Sequence, residues 1–175
     1  MRAFVVVVWV ALCAGAVQAE PLFVSSAVRF VIAGGVCVTT PQGWIAAPQT
    51  RRGRVGTAPQ PYRFSQLGDV VPAFRDTGIG LDVTLKPDRR ARLATATFTI
   101  ERLGPGGWTD RWQRPMRSPN RFWFSQEPGP GRALLPGQFI LSAWIGPDKI
   151  ISYAFRVTRP APGAALANGC TANLS

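Results

Sequence analysis

The chain has 175 residues, with 20 basic residues against 9 acidic ones, a formal charge of +11 and no histidine. Without histidine, the usual Ser-His-Asp and Cys-His nucleophile systems and histidine-ligated zinc sites are excluded. The excess of positive charge directs attention to anionic partners.

Arg2 places one positive charge ahead of an apolar run over residues 3–17, and Val17-Gln18-Ala19 closes that run with small residues at cleavage spacing. This is the pattern of a secretory signal peptide over residues 1–19, with a mature chain starting at Glu20. The run is shorter than the roughly 18 apolar residues a transmembrane helix needs, and no later segment reaches that length. The expectation is an exported, periplasmic or secreted protein with no transmembrane segment. Cys13 follows Leu12 rather than a small residue, which disfavours lipid attachment at that position. Cys13 leaves with the leader, and Cys37 and Cys170 remain. In an oxidising compartment two cysteines most often pair. Such a bridge would tie the start of the fold to its tail, with a chain-entropy contribution of up to about 5 kcal/mol.

The mature chain reads as one domain, residues 20–175, built of short strands punctuated by 18 glycines and 16 prolines. Val28, Phe30 and Ile32 suggest a first strand, and residues 36–39 a second after Gly34-Gly35. Residues 41–61, rich in Pro, Gln, Gly and Arg, predict a long irregular loop. Its cluster Arg51, Arg52 and Arg54 is a candidate anion contact. Residues 62–64 add a short extended segment.

The clearest strand is 79–86, with Ile79, Leu81, Val83 and Leu85 on one face and Gly80, Asp82, Thr84 and Lys86 on the other. Residues 94–101 repeat the alternation, placing Ala96, Phe98 and Ile100 inward and Thr95, Thr97, Thr99 and Glu101 outward. Phe122 to Phe124 marks another strand. Phe139, Leu141, Ala143 and Ile145 then alternate on one arm of a hairpin and Ile151, Tyr153, Phe155 and Val157 on the other, joined through Gly146-Pro147-Asp148-Lys149. Residues 160–175 predict an extended tail pinned by Cys170.

About seven antiparallel strands, each with one apolar face to bury, predict an all-β, two-sheet sandwich. A small closed barrel is the alternative architecture.

The order of motifs over residues 54–157 resembles the secreted bacterial proteins grouped as domain of unknown function 3859. The shared features are Tyr62-Arg63-Phe64, the Val71-Pro72-Ala73 step into a long strand, and Gly107-Trp108-Thr109-Asp110. Leu135-Pro136-Gly137-Gln138-Phe139 then leads into Ala143-Trp144-Ile145-Gly146. The resemblance implies an immunoglobulin-like sandwich and export. It implies no activity, so no catalytic residue follows from it.

No phosphate-binding G-x-x-x-x-G-K loop, G-x-S-x-G elbow or S-x-x-K pair is present. Gly78-Ile79-Gly80 lies inside a predicted strand and reads as a packing feature. Two distant cysteines cannot form a zinc cage. The reading is therefore no enzyme, no metal and no cofactor. A hydrolase with paired carboxylates is the remaining catalytic alternative, and it requires two of the Asp and Glu side chains to converge across a cleft.

The strongest candidate for function is residues 104–123, read as a loop between strands, where Trp108, Arg111, Trp112, Arg114 and Arg117 interleave aromatic and guanidinium groups. Both residue types are enriched in interaction hot spots, and Arg forks match phosphate and carboxylate. The competing reading folds Trp108 and Trp112 back over the sandwich as a lid with Arg stacked on them. Trp123 and Trp144, out of step with their apolar neighbours, either cover a sheet face or mark an exposed patch.

The expected function is an exported binding module for an anionic envelope component such as a glycan or lipopolysaccharide, or for an envelope protein. A structural domain of an envelope assembly is the alternative. Nucleic acid is the least favoured partner.

Overall fold

In a computed structural model of the chain, the structure describes residues 21–38, 40–57, 62–87, 95–116, 118, 120–129, 131–164 and 170. The predicted signal peptide, Arg117 and most of the tail lie outside the described residues.

The elements, in chain order, are β1 (Phe23–Val24), β2 (Val28–Cys37), β3 (Gly43–Ala46), β4 (Arg54–Thr57), β5 (Phe64–Leu67) and β6 (Val70–Pro72). They continue as β7 (Thr77–Leu85), β8 (Thr95–Arg102), β9 (Trp108–Pro115), β10 (Arg121–Gln126), β11 (Gly137–Ile145) and β12 (Asp148–Thr158). A six-stranded sheet runs β1-β12-β11-β8-β9, with β6 also paired to β12, and a four-stranded sheet runs β10-β7-β2-β5. β3 and β4 form a separate hairpin. The two large sheets are not closed on each other, so the sandwich forms and the barrel does not. Among the described residues, all strand pairings are antiparallel except that of β6 with β12, which is parallel.

The expected alternation fills the space between the sheets. Ile79, Leu81, Val83 and Leu85 of β7 face Ala96, Phe98 and Ile100 of β8 and Phe139, Leu141 and Ala143 of β11 in one buried cluster. Phe98 bridges the layers, with its ring centroid 4.8 Å from that of Phe124 and 5.7 Å from that of Phe122. The expected hairpin of β11 and β12 forms, with Phe139 opposite Phe155 and Leu141 opposite Tyr153, until a bulge between Ala143 and Trp144 shifts the register. The bulge explains why Ile150 and Ile151 are both buried.

Several expectations are corrected. Val28–Cys37 is one ten-residue strand rather than two, because Gly34 and Gly35 continue it. A Cβ on Gly34 would meet the Gln66 carbonyl oxygen at 2.1 Å, so glycine there lets β5 approach closely. Gly78 does the same for β10, its virtual Cβ lying 2.4 Å from the Gln126 carbonyl oxygen. The presumed loop 41–61 contains the β3–β4 hairpin.

Asp82, on the face of β7 opposite Ile79, Leu81, Val83 and Leu85, is buried. It accepts Arg121 Nε at 2.9 Å and Nη2 at 2.5 Å. The pair works because Arg121 stands opposite Thr84 on the neighbouring strand, one diagonal step from Asp82. Arg121→Ala would leave a carboxylate with 3% side-chain exposure unpaired. We expect it to lower stability by about 2 kcal/mol in chemical denaturation, less than a fully enclosed pair because water enters the vacated volume. Asp82→Asn should cost less, since Arg121 is half in solvent. The reverse order would refute this account.

Candidate functional site

β9 is the edge of the larger sheet and β10 the edge of the smaller one. The β3–β4 hairpin lies against both. Its tip is shaped by successive turns: Thr50 N–H donates to Ala47 O, Gly53 N–H to Thr50 O, and Ala47 N–H to Gly53 O. Gly53 adopts φ 64°, which closes the tip at a conformation glycine tolerates.

The tip carries Arg51 and Arg52 down onto the sandwich. Arg51 donates from its backbone N–H to Asp110 Oδ1 at 2.8 Å, and its guanidinium reaches Asp110 Oδ2 at 3.3 Å. The same guanidinium stacks 3.2 Å over the Trp108 ring. Arg52 Nη2 donates to the Pro128 carbonyl at 3.2 Å. Arg54, the first residue of β4, lies 4.3 Å over the Trp44 ring.

These contacts roof a cleft of about 120 Å³. Its walls include Arg51, Arg52, Arg54 and Val55 from the hairpin, Tyr62 just before β5, Asp110, Trp112 and Arg114 from β9, and Phe124, Ser125, Gln126 and Glu127 from β10 and beyond. Arg114 hydrogen-bonds the Trp123 carbonyl across the gap between the sheets and lies 5.0 Å over Phe98. Ser125 donates to Glu127 at 2.9 Å. Burial, then the nearby Glu127 carboxylate, push the Tyr62 hydroxyl well above its ordinary range, so it stays protonated as a hydrogen-bond donor.

The structure thus sorts the predicted site residues. Arg51, Arg52, Arg54, Trp112 and Arg114 converge on one cleft, although the sequence separates them by some sixty positions. Trp108 joins from beneath as the platform for Arg51. Arg111 does not belong: it points outward on β9, and its backbone N–H donates to Gln49 O.

The expectation of a loop at 104–123 is corrected, because Trp108–Pro115 is a strand. Its inward face reads Trp108, Asp110, Trp112 and Arg114, too polar for an apolar alternation to announce it. Trp108 and Trp112 do fold onto the core, as the lid reading held. Trp112 is buried, 5.6 Å from Phe98 and stacked on it. Trp123 is buried too, while Trp144 is half-buried with Lys149 Nζ 5.4 Å from its ring.

Sequence reasoning missed Tyr62 and Glu127 as cleft residues, and Trp44 as a platform. Only their position in three dimensions brings them here. Asp110 and Glu127 both line the cleft. Both oxygens of Asp110 are engaged by Arg51, however. Among the described residues, no group of three or more His, Cys, Asp or Glu is placed to hold a metal ion, and no helix is long and apolar enough to cross a membrane.

No protein-family model and no curated protein sequence matches this chain. Among solved structures, it is similar to an immunoglobulin-like protein from Pseudomonas aeruginosa, with a TM-score of 0.45 and 15% sequence identity, covering 81% of this chain and 99% of that one.

Proposed function

We propose that this protein is an exported, non-catalytic binding module of the domain of unknown function 3859 type that holds an anionic component of the cell envelope in the cleft under the β3–β4 hairpin. The observation that carries the reading is the cluster of guanidinium groups there. Arg52 and Arg54 are exposed at the mouth and have no carboxylate partner among the described residues, whereas Arg51 is matched to Asp110. The Arg121–Asp82 pair, with its carboxylate buried, serves the fold. Exposed arginines steadied by a backbone carbonyl and by an indole face remain available to an outside anion. Export is supported by the leader pattern and by the Cys37–Cys170 disulfide. The reading as a structural domain called for an exposed apolar patch at Trp123 and Trp144, and burial of the first and Lys149 over the second weaken it.

Charge reversal tests this directly. Arg52→Glu with Arg54→Glu should reduce adsorption to lipopolysaccharide or an acidic glycan about tenfold or more at low salt. Adsorption of the parent protein should weaken as salt rises, because screening lengths fall to about 8 Å at physiological ionic strength. Unchanged adsorption would remove the assignment. Asp110 and Glu127 in one cleft favour a second reading, a carboxylate-dependent hydrolase. The same incubations report on it, since release of reducing ends that Glu127→Gln abolishes would establish it.

A further inference from the structure

We infer that the cleft is a pocket for the phosphate group of a phosphomonoester, held by Arg52 and Arg54. This rests on the anion-binding reading and narrows it to one ligand chemistry.

Charge is the first argument. Arg51, Arg52, Arg54 and Arg114 line the cleft with Asp110 and Glu127, which leaves a formal excess of two positive charges in its walls. A phosphomonoester carries about −1.5 to −2 at neutral pH and matches that excess. A carboxylate or a phosphodiester carries a single charge and leaves it half compensated.

Size is the second. At about 120 Å³ the cleft far exceeds the roughly 10–15 Å³ that one water requires, so it has room for a tetrahedral oxyanion. Whatever bears the phosphate extends from the open mouth along the hairpin. There the exposed ring of Trp44 stands beside Arg54.

The third argument is donor geometry. Arg52 and Arg54 are exposed at the mouth, and neither has a carboxylate partner among the described residues. Guanidinium forks provide the paired, charge-assisted donors that phosphate oxygens accept. Tyr62, kept protonated, lines the same wall.

The test is calorimetric titration of the mature, disulfide-bonded chain with inorganic phosphate, glucose 6-phosphate and glucuronate. Saturable binding of both phosphates, with glucuronate at least about tenfold weaker, is the expected result. Arg52→Gln with Arg54→Gln should weaken phosphate about tenfold or more. Arg111→Gln, on the opposite side of β9, should leave affinity unchanged. Both arginines lie at the surface, and an unchanged melting transition shows that the double variant is folded.

Lipopolysaccharide compared before and after dephosphorylation identifies the source. Loss of adsorption places the phosphate on the envelope lipid, and retention with binding of glucose 6-phosphate places it on a soluble ester. Equal binding of glucuronate, or no saturable phosphate binding, overturns the proposal. If the charge-reversal variant still loses adsorption to acidic glycan in that case, the broader anion-binding reading stands alone. If it does not, both fall.

Discussion

Reducing the Cys37–Cys170 bridge, or replacing Cys170 by Ser, is expected to lower the unfolding free energy by about 3–5 kcal/mol. The two residues are 133 positions apart, so the bridge closes a loop over most of the described chain. The chain-entropy relation for such a loop gives about 5 kcal/mol as its ceiling, because residual structure in the unfolded chain lowers the gain. In the native fold the bridge needs no rearrangement. Cys37 ends β2 directly opposite Thr77, Cys170 lies within 3.7 Å of the Thr77 hydroxyl, and the Cα atoms stand 5.2 Å apart, inside the ordinary disulfide range.

Urea titration with and without reductant measures the effect. The midpoint should fall, and the slope should rise, because an unlinked unfolded chain exposes more surface. An unchanged midpoint would show that the bridge restrains little in the unfolded chain.

Phe98→Ala should cost about 3–5 kcal/mol, near the upper end for a core truncation. Phe98 is fully buried. It contacts Trp112 within its own sheet and Phe122 and Phe124 in the facing one. Truncation removes one large ring and leaves three others without their common neighbour, and flat rings do not collapse readily into the space. Arg114 rests over the same ring, so the wall of the cleft loses a support as well. Chemical denaturation gives the magnitude, and near-ultraviolet circular dichroism should show the Trp112 environment loosening. A loss below about 1 kcal/mol would mean that the two layers adhere without this bridge.

What the sequence disclosed follows from the physics of alternation. β7, β8, β11 and β12 have apolar side chains at every second position, and an apolar face permits only one register against a core. β9 escaped notice because Asp110 and Arg114 stand at inward positions, and their burial is made tolerable by Arg51, nearly sixty residues earlier, and by the Trp123 carbonyl. No local pattern encodes such compensation. The β3–β4 hairpin escaped for a related reason. It carries few core residues, and its place is fixed by long-range polar contacts to Asp110 and Pro128. The arginines of the cleft were visible as residue types at two places in the chain. That those places meet depends on β9 and β10 being edges on the same side of the sandwich. The bridge between Cys37 and Cys170, by contrast, followed from compartment and count alone.

The hairpin also has a bearing on self-association. An edge strand with unpaired backbone groups invites a second copy of the chain to extend the sheet, and folded proteins commonly block this with charge or with a covering segment. β9 has both forms of protection. Gln49 O takes the Arg111 N–H, Arg51 sits across Asp110, and Arg111 and Arg114 place positive charge along the strand. The segment that shapes the cleft is therefore also the guard of an edge.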